Sequence, residues 1–281
     1  MPLVLTPRMT ADSGPLAVDV EGVLPARLAG LPLDAIRRLA VLADGRPCPL
    51  GDVFAVAGGA DDLVVECAGD FSRVHHLAAG MQAGVVAVRG SVGRHAGARM
   101  AGGRLTITGD AGDWLAAGMT GGEVLVEGDA GDGVAAAAPG DEIGVNGGVI
   151  AVNGAAGCLA GARMRRGLLG VGGGCGEGAA FEMRAGTVVV AGPVGRRSGT
   201  GMRRGSLVAL SDQPDVPATF CRGAVWCPTV LPLLAARLAA AGFRATRGLP
   251  PDALGGVWQQ WHGDLLCGGR GEIFHRPWQA G

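Results

Sequence analysis

A repeat with a period of 19 residues runs from residue 63 to residue 210 and limits the chain to a few architectures. Glycines open the successive units, and all but one of the gaps between them are 19 residues long; the series is Gly84, Gly103, Gly122, Gly148, Gly167, Gly186 and Gly205. The exceptional gap is seven residues longer than the others, and the extra residues lie within the segment 135–146. A fixed period of this length is typical of proteins that stack one unit on the next along a single axis.

Each unit begins with the alternating pattern of a half-buried strand. The second and fourth residues after the opening glycine are apolar, as in Val86/Val88, Leu105/Ile107, Val124/Val126, Ile150/Val152, Leu169/Val171 and Val188/Val190. Two more glycines follow each strand three residues apart, for example Gly109 and Gly112, and we expect them to supply the unusual backbone angles of tight corners. A column of methionines, predicted to fill the core, closes the pattern: Met81, Met100, Met119, Met164, Met183 and Met202.

These features predict a mainly β fold, a right-handed parallel β-helix of roughly eight turns about 4.8 Å apart. Each turn should contain a strand, a corner, a short second strand and another corner. A left-handed hexapeptide helix would need a period that is a multiple of six, and the 19-residue period does not fit it. The Leu/Asn signature of a leucine-rich repeat is absent.

The pattern divides the chain into three parts: an N-terminal α/β cap at 1–62, the β-helix at 63–210, and a C-terminal extension at 211–281. In the cap, strands are predicted at 16–23 and 50–57 and a helix at 35–42. The extension is predicted to contain a linker (211–217), a strand (218–225), a helix (229–241) and a hairpin pairing 263–267 with 271–274. Tryptophans 226, 258, 261 and 278 lie in or just after these elements and should pack this part on the rod or on a partner.

Composition excludes several classes of protein. The net charge of −1 argues against a general nucleic-acid binder, and all 24 basic residues are arginine. We see no signal peptide and no apolar run long enough to span a bilayer, so a cytoplasmic protein without membrane contact is expected. The seven cysteines include no CxxC pair, so we expect no metal centre, and Cys67 should be a small buried hydrophobe.

Two acidic features have alternative interpretations. The GDAGD segments at 109–113 and 128–132 should stack Asp110 over Asp129 and Asp113 over Asp132. They indicate either a calcium site or aspartates that accept backbone N–H bonds in turns. The insert at 135–146 is either a docking loop or a tolerated insertion.

The later units gain a column of arginines at one register, one residue after the methionines: Arg165, Arg184 and Arg203, with Arg166 and Arg204 beside them. Stacked like charges repel one another, so this column either splays into solvent or binds an anion or an acidic partner. No catalytic residue is predicted, because the outward strand positions contain no acid paired with a base. Glu123 and Glu127 share a face without a histidine or lysine.

The chain resembles a known family. The repeat resembles the GXGXG β-helix of glutamate synthase C-terminal domains. The whole chain is more similar to the C subunit of formylmethanofuran dehydrogenase and of its bacterial relative, the formyltransferase/hydrolase complex. The segments that carry the resemblance are 50–54 (LGDVF), 109–114 (GDAGDW), 118–122 (GMTGG), 195–202 (GRRSGTGM), 217–220 (PATF) and 268–272 (GGRGE).

The resemblance implies a non-catalytic scaffold in a complex of one-carbon metabolism. The partners it implies are an amidohydrolase-like subunit, a formyltransferase subunit and a pterin-enzyme-like subunit. The complex would move a formyl group from formyl-tetrahydromethanopterin to a methanofuran-type carrier and release formate, with a metal in another subunit and no cofactor on this chain. Arginine- and alanine-rich, lysine-free usage favours the methylotrophic hydrolase over a tungsten or molybdenum dehydrogenase. The glutamate-rich tails of such carriers are candidate ligands for the arginine column.

Two function classes outside this family stay open. A stand-alone binding module should run as a monomer on gel filtration, whereas a scaffold should co-purify with larger partners. A β-helix enzyme acting on polysaccharide would need an open cleft of acids with a basic residue.

Overall fold

The computed structural model of the 281-residue chain describes residues 1–8, 16–211, 214–244 and 254–277. The strands are β1 (Leu3–Pro7), β2 (Val18–Asp19), β3 (Ala40–Ala43), β4 (Arg46–Pro49), β5 (Phe54–Ala57), β6 (Val64–Ala68), β7 (Val74–His75), β8 (Val85–Arg89), β9 (Arg104–Ile107), β10 (Glu123–Val126), β11 (Asn146–Val152), β12 (Arg166–Val171), β13 (Thr187–Val190), β14 (Arg204–Ala209), β15 (Cys221–Trp226), β16 (Trp258–Gly263) and β17 (Arg270–His275). The helices are α1 (Pro25–Leu28), α2 (Leu33–Arg37), α3 (Leu50–Val53) and α4 (Val230–Ala240), with a 3₁₀ turn at Leu265–Cys267.

The repeat folds into one long sheet of stacked strands. Its order is β15-β16-β17-β14-β13-β12-β11-β10-β9-β8-β6-β1-β5, and the pairs from β6 to β14 are all parallel. Val86 lies beside Leu105, which lies beside Val124, so the predicted stacking of the aliphatic pairs is confirmed. The insert does not disturb this register, because Val124 still pairs with Ile150.

The core lies inside the stack and is made by the columns that the sequence predicted. Both aliphatic residues of each repeated strand are at most 1% exposed, and all six methionines of the column are fully buried. Cys67 occupies one inward strand position and is also fully buried, and burial raises the pKa of its thiol to about 12. Thioether side chains therefore fill the interior, as expected.

The predicted second strand of each unit is reduced to a single residue. One parallel bridge per unit joins Phe71, Val92, Ala111, Ala130, Ala156, Cys175 and Val194 in a line. The rest of each unit is a long corner in which every second residue is left-handed, for example Trp114 (φ 63°), Ala116 (φ 54°) and Gly118 (φ 64°). The left-handed conformation costs a non-glycine residue roughly 1–2 kcal/mol, so the stack must impose it at these positions.

The expectation that the paired glycines supply unusual angles is wrong for most of them. Positive φ belongs to the glycines that open the strands, such as Gly84 (φ 97°). The glycines after the strands are required because successive repeat units, called coils from here on, approach each other closely there. A Cβ on Gly112 would lie 2.8 Å from the carbonyl carbon of Gly93, and a Cβ on Gly195 would lie 2.4 Å from the oxygen of Gly176.

The N-terminal part departs from the prediction in detail because short helices interrupt the expected strands. The predicted strand at 16–23 is only Val18–Asp19, and the predicted helix at 35–42 is Leu33–Arg37 followed by strand β3. The predicted strand at 50–57 begins as helix α3 and becomes β5 at Phe54. Strand β1 pairs parallel with β6 and antiparallel with β5, so this part continues the long sheet beyond the repeat.

The C-terminal part also extends the long sheet. Strand β17 pairs parallel with β14 and therefore takes the place of a further repeat, while β16 and β15 follow antiparallel. The strand predicted at 218–225 is Cys221–Trp226, and the helix predicted at 229–241 is confirmed as Val230–Ala240. The hairpin pairs β16 with β17 rather than 263–267 with 271–274, because residues 265–267 form the 3₁₀ turn between these strands.

Helix α4 packs on the outer face of the later strands. Leu231 and Leu238 cover Leu168, Val189 and Val208 in a second apolar cluster that also contains Trp258 and Phe274. Gly170 leaves room for the helix, since a Cβ there would lie 2.8 Å from Leu238 Cδ2. Trp278 and part of the predicted linker, residues 212–213, lie outside the described residues. No helix in the described residues is long and apolar enough to cross a membrane.

Candidate functional site

The predicted arginine column lies where the later strands begin. Arg165, Arg184 and Arg203 follow the buried methionines, and each donates its backbone N–H to the coil before it: Arg184 to Met164 O and Arg203 to Met183 O, both at 2.8 Å. Arg165 and Arg203 are exposed, while Arg184 is half-buried. The three backbones therefore share one register, as predicted.

The second set of predicted arginines occupies the next position along the same coils. Arg166 begins β12 and Arg204 begins β14, and both side chains are exposed. The position between them, in the coil of β13, is Ala185. The fold adds an arginine that the sequence analysis missed, because Arg204 pairs in register with Arg270 of β17. We call the five residues Arg165, Arg166, Arg203, Arg204 and Arg270 the arginine corner.

Arg270 had a recognisable signal in the sequence. Arg166-Gly167, Arg204-Gly205 and Arg270-Gly271 are three Arg-Gly pairs, each with an aliphatic residue of the core two positions after the glycine. In the structure Gly205 pairs with Gly271, so the third pair repeats the role of the second. The signal was missed because Arg270 lies outside the 19-residue series and was assigned to a hairpin turn.

A shallow open pocket of roughly 470 Å³ lies against the arginine corner. Its lining is Ala185, Gly186, Arg204, Gly205, Arg270 and Glu272. Glu272 is the carboxylate of this lining, and two neutral donors hold it: Ser206 Oγ donates to Oε2 and Gln260 Nε2 donates to Oε1, both at 2.8 Å. Within the described residues Glu272 makes no ion pair with an arginine.

Arg184 has an internal partner, which the sequence analysis did not foresee. Glu142 of the insert approaches its guanidinium at 3.5 Å, and the neighbouring Asp141 pairs with Arg99 at 3.3 Å. Arg163 also reaches the backbone oxygen of Asp141. The insert therefore lies along this side of the stack, with its acidic end against arginines.

The stacked aspartates act as hydrogen-bond acceptors between coils. Asp110 Oδ1 accepts the backbone N–H of Asp129 at 2.8 Å, and Asp113 Oδ1 accepts that of Asp132 at 3.0 Å. Asp129 Oδ1 in turn accepts the N–H of Ala155 at 2.7 Å. This arrangement favours the hydrogen-bonding interpretation over calcium, with the bonds reaching the next coil rather than the local turn. No group of three or more His, Cys, Asp or Glu side chains suited to a metal ion occurs in the described ranges.

The histidines of the described coils make structural contacts. His75 Nδ1 accepts the N–H of Arg94, and His76 Nδ1 lies 2.8 Å from Asp19 Oδ2. The rings of His76 and His95 stack with centroids 4.8 Å apart, and Trp114 continues this stack. Burial lowers the pKa of His75 and of His95, so both are neutral at pH 7. Glu123 pairs with Arg104, and Glu127 accepts from Asn153 and pairs with Arg244, so the partners of both acids are arginine or amide groups and not a histidine.

Two comparisons with known proteins, one by sequence and one by structure, lead to the same family. No family model matches the chain. The C subunit of the molybdenum-containing formylmethanofuran dehydrogenase 1 from Methanothermobacter marburgensis is 33% identical over 94 residues, and that of Methanothermobacter wolfeii matches equally. The matched segment is 33% of this chain and spans only 23% of the length of these curated relatives.

A solved structure extends the similarity to the whole chain. In the crystal structure of the formyltransferase/hydrolase complex FhcABCD from Methylorubrum extorquens with methylofuran, one chain is similar to this one with a TM-score of 0.86 and 34% identity. The match covers 98% of this chain and 100% of that chain. The chain belongs to the family of C subunits of formylmethanofuran dehydrogenase and the formyltransferase/hydrolase complex. As a member of this family it is related to subunits of multi-chain enzymes, and the arginine corner lies on the outer surface of such a subunit.

Proposed function

We propose that this chain is the C subunit of a formyltransferase/hydrolase complex and serves there as a non-catalytic scaffold. The observation that carries the proposal is the full-length similarity to a chain of FhcABCD at 34% identity. Such a complex would pass a formyl group from formyl-tetrahydromethanopterin to a methanofuran-type carrier and then release formate. The methylofuran bound in the relative's structure supports a carrier of this class.

The scaffold role follows from how the chain uses its polar side chains. The stacked aspartates bond neighbouring coils, and the histidines of the coils are stacked, bonded to backbone or paired with Asp19. We propose that the stack is a right-handed β-helix of about eight turns, with the cap at 1–62 and the extension at 211–281 continuing its long sheet at the two ends. A stiff rod of this kind offers a long surface to other polypeptides.

We further propose that the arginines bind an anion in the assembled complex. Arg165, Arg166, Arg203 and Arg204 are exposed, and none has an ion pair within the described residues. An acidic partner or the glutamate-rich tail of the carrier would neutralise them, with Arg184 contributing once Glu142 moves aside. The metal and the cofactor chemistry would belong to other subunits, and this chain would hold no cofactor alone.

The partners we expect are an amidohydrolase-like subunit and a formyltransferase subunit in the cytoplasm, without nucleic acid or membrane. A pterin-enzyme-like subunit would complete the complex. The rival within the family is the corresponding subunit of a molybdenum or tungsten formylmethanofuran dehydrogenase, which the curated relatives favour. The two candidates differ in whether redox-active pterin and iron–sulfur chains accompany the scaffold.

Affinity purification of the tagged full-length chain from its own organism tests the proposal. We expect formyltransferase and amidohydrolase-like chains to co-purify, and the complex to release formate from formyl-tetrahydromethanopterin. The chain purified alone should show no activity. A monomer without partners, or turnover by the isolated chain, would overturn the scaffold role. Molybdenum or tungsten in the purified complex would select the dehydrogenase.

A further inference from the structure

Among the described coil arginines from residue 89 onward, those of the arginine corner differ from the rest in lacking acidic partners. Arg73, in the first coil, also has no ion pair within the described residues. Four arginines of the early coils each have one: Arg89 with Glu66, Arg94 with Asp113, Arg99 with Asp141 and Arg104 with Glu123, at 3.1–3.4 Å. Four arginines of the later coils also have one: Arg163, Arg184, Arg196 and Arg197. In the described coils from Arg89 to β14, together with the paired strand β17, the arginines left without an ion pair are those of the corner.

The corner members are held close to one another by the backbone register. Arg204 and Arg270 are direct neighbours across β14 and β17, so their Cα atoms are about 4.8 Å apart. Arg165 and Arg203 share a register two coils apart, with Arg184 between them. Because the strands are hydrogen-bonded, these charges cannot move apart at the backbone, and like charges at this distance repel. A ligand that supplies negative charge would relieve this repulsion.

The arginine corner extends along the stack beyond the pocket, whose lining includes Arg204 and Arg270 but not Arg165, Arg166 or Arg203. Ala185 occupies the position between Arg166 and Arg204 and lines the pocket together with Gly186 and Gly205. Glu272 accepts hydrogen bonds from Ser206 and Gln260 and makes no ion pair with an arginine of the described residues. From the coil of Arg166 to that of Arg270 there are three coil steps, or roughly 14 Å. One phosphate or one carboxylate cannot reach across this length, whereas an extended peptide of about four residues can.

The chain itself shows how this side of the stack holds an acidic peptide. In the insert, Asp141 and Glu142 are consecutive and pair with arginines of different coils, Arg99 and Arg184, while the backbone oxygen of Asp141 accepts from Arg163. Guanidiniums projecting from different coils thus bind carboxylates and a carbonyl of one segment. The arginine corner presents the same kind of donor on adjacent coils without an internal acid.

We propose that the arginine corner is the docking site for an acidic segment of a partner polypeptide, with Arg204 and Arg270 gripping one carboxylate and Arg166 or Arg165 a second. This rests on the anion-binding part of the proposed function and makes it specific. Glu272 borders the same pocket and would accept a backbone N–H of the segment.

Fluorescence anisotropy with a labelled pentaglutamate peptide on the full-length chain tests the chemistry. We expect binding that weakens with salt, and a loss of about tenfold or more in the double variant Arg204→Gln/Arg270→Gln, since two charge-assisted bonds are removed. The matched control is Arg196→Gln, an exposed arginine on another corner, which should leave affinity unchanged. Equal affinity in the double variant, or displacement of the peptide by an equal concentration of inorganic phosphate, would overturn the proposal.

Photo-crosslinking in the purified complex identifies the source of the segment. A benzoylphenylalanine in place of Ala185 lines the pocket without removing a binding group. We expect a crosslink to a partner peptide that contains at least two Asp or Glu residues. A crosslink only to a carrier molecule, or to a peptide without acids, would overturn the assignment. Co-purification of the complex is read separately, so its failure would count against the proposed function rather than against this site.

Discussion

The early and later coils share an interior and differ on the outside. In the early coils, from residue 84 to 134, the residue before the strand-opening glycines Gly103 and Gly122 is itself glycine, and exposed arginines have acidic partners. After Gly147, which keeps this pattern, the same position becomes Arg166, Ala185 and Arg204 in the later coils. The aliphatic pairs, the methionines and the corner geometry are the same in both. The comparison teaches that the repeat conserves what coils need to stack and leaves the outer positions free for partners.

The early and later coils also differ in the side-chain hydrogen bonds that join one coil to the next. The early coils use side chains as acceptors for the next coil: Ser91, Asp110 and Asp129 in one column, and Asp113 and Asp132 in another. The later coils have Ala155, Gly174 and Pro193 at the first of these positions, which lack a side-chain acceptor. Helix α4 covers the outer face of the later strands instead. Stability in the later half therefore depends more on the C-terminal part.

The largest predicted effect tests whether the interior is shared. Gly112→Ala and Gly195→Ala should each destabilise the chain by about 3 kcal/mol, because the new Cβ meets the backbone of the preceding coil, which cannot move. Chemical denaturation measures both. Gly59→Ala, which meets nothing within 4 Å and has no positive φ, is the control and should change little. A large effect in one half and none in the other would contradict a common packing rule.

An intermediate effect tests the aspartate columns. Asp129→Ala removes the acceptor for the Ala155 N–H and should cost about 1–2 kcal/mol. Asp129→Asn keeps an oxygen and should cost less. In the later half, Glu177→Ala removes only an exposed ion pair with Arg197, so its effect should be smaller than that of Asp129→Ala. The prediction is contradicted if the stability lost in Asp129→Ala comes from the loss of a bound calcium ion and not from the loss of the hydrogen bond to the backbone.

A smaller effect concerns pH and the histidine stack of the early coils. Burial lowers the folded-state pKa of His95 and of His75 below 6.5, so the unfolded chain takes up protons first as the pH falls. Their contribution to stability is therefore present above pH 6.5 and is lost as the pH drops through that value. His95→Asn, which tolerates the left-handed backbone, should make the loss of stability between about pH 7 and pH 5 shallower. Thermal unfolding at a series of pH values measures the slope; an unchanged slope would contradict the argument. The titratable and charged groups that act on this ring are His76, His75, Arg94 and Asp19.

The smallest effect has opposite signs in the two halves. Arg104→Gln removes an ion pair with Glu123 and should lower the stability of the isolated chain by a few tenths of a kcal/mol. Arg204→Gln relieves repulsion in the arginine corner and should raise it by a similar amount at low salt. Both differences should shrink at high salt. Equal signs would mean that the corner is already neutralised within the chain.

Much of the fold could be predicted because the same pattern of aliphatic residues and methionines recurs in every unit. The aliphatic pairs and the methionine column were placed inside correctly, since strand alternation and a fixed period leave few other arrangements. The terminal parts were predicted less well. Leu50 and Val53 have the composition of a strand but form helix α3 under contact with the neighbouring elements, which local sequence does not reveal. Of the candidate site, Arg165, Arg166, Arg184, Arg203 and Arg204 were found in the sequence.

By itself, the sequence determined the period, the stacking register, the buried residues and the resemblance to a known family of C subunits, because each of these is repeated or local. Only the tertiary structure decided which arginines are free. Whether a charge is paired depends on residues far away in the chain, such as Glu142 beside Arg184. Strand β17 returns to β14 after an interval of about 60 residues and brings Arg270 and Glu272 to the corner. Spatial neighbours of this kind are set by the closing of the sheet, and no local pattern encodes them.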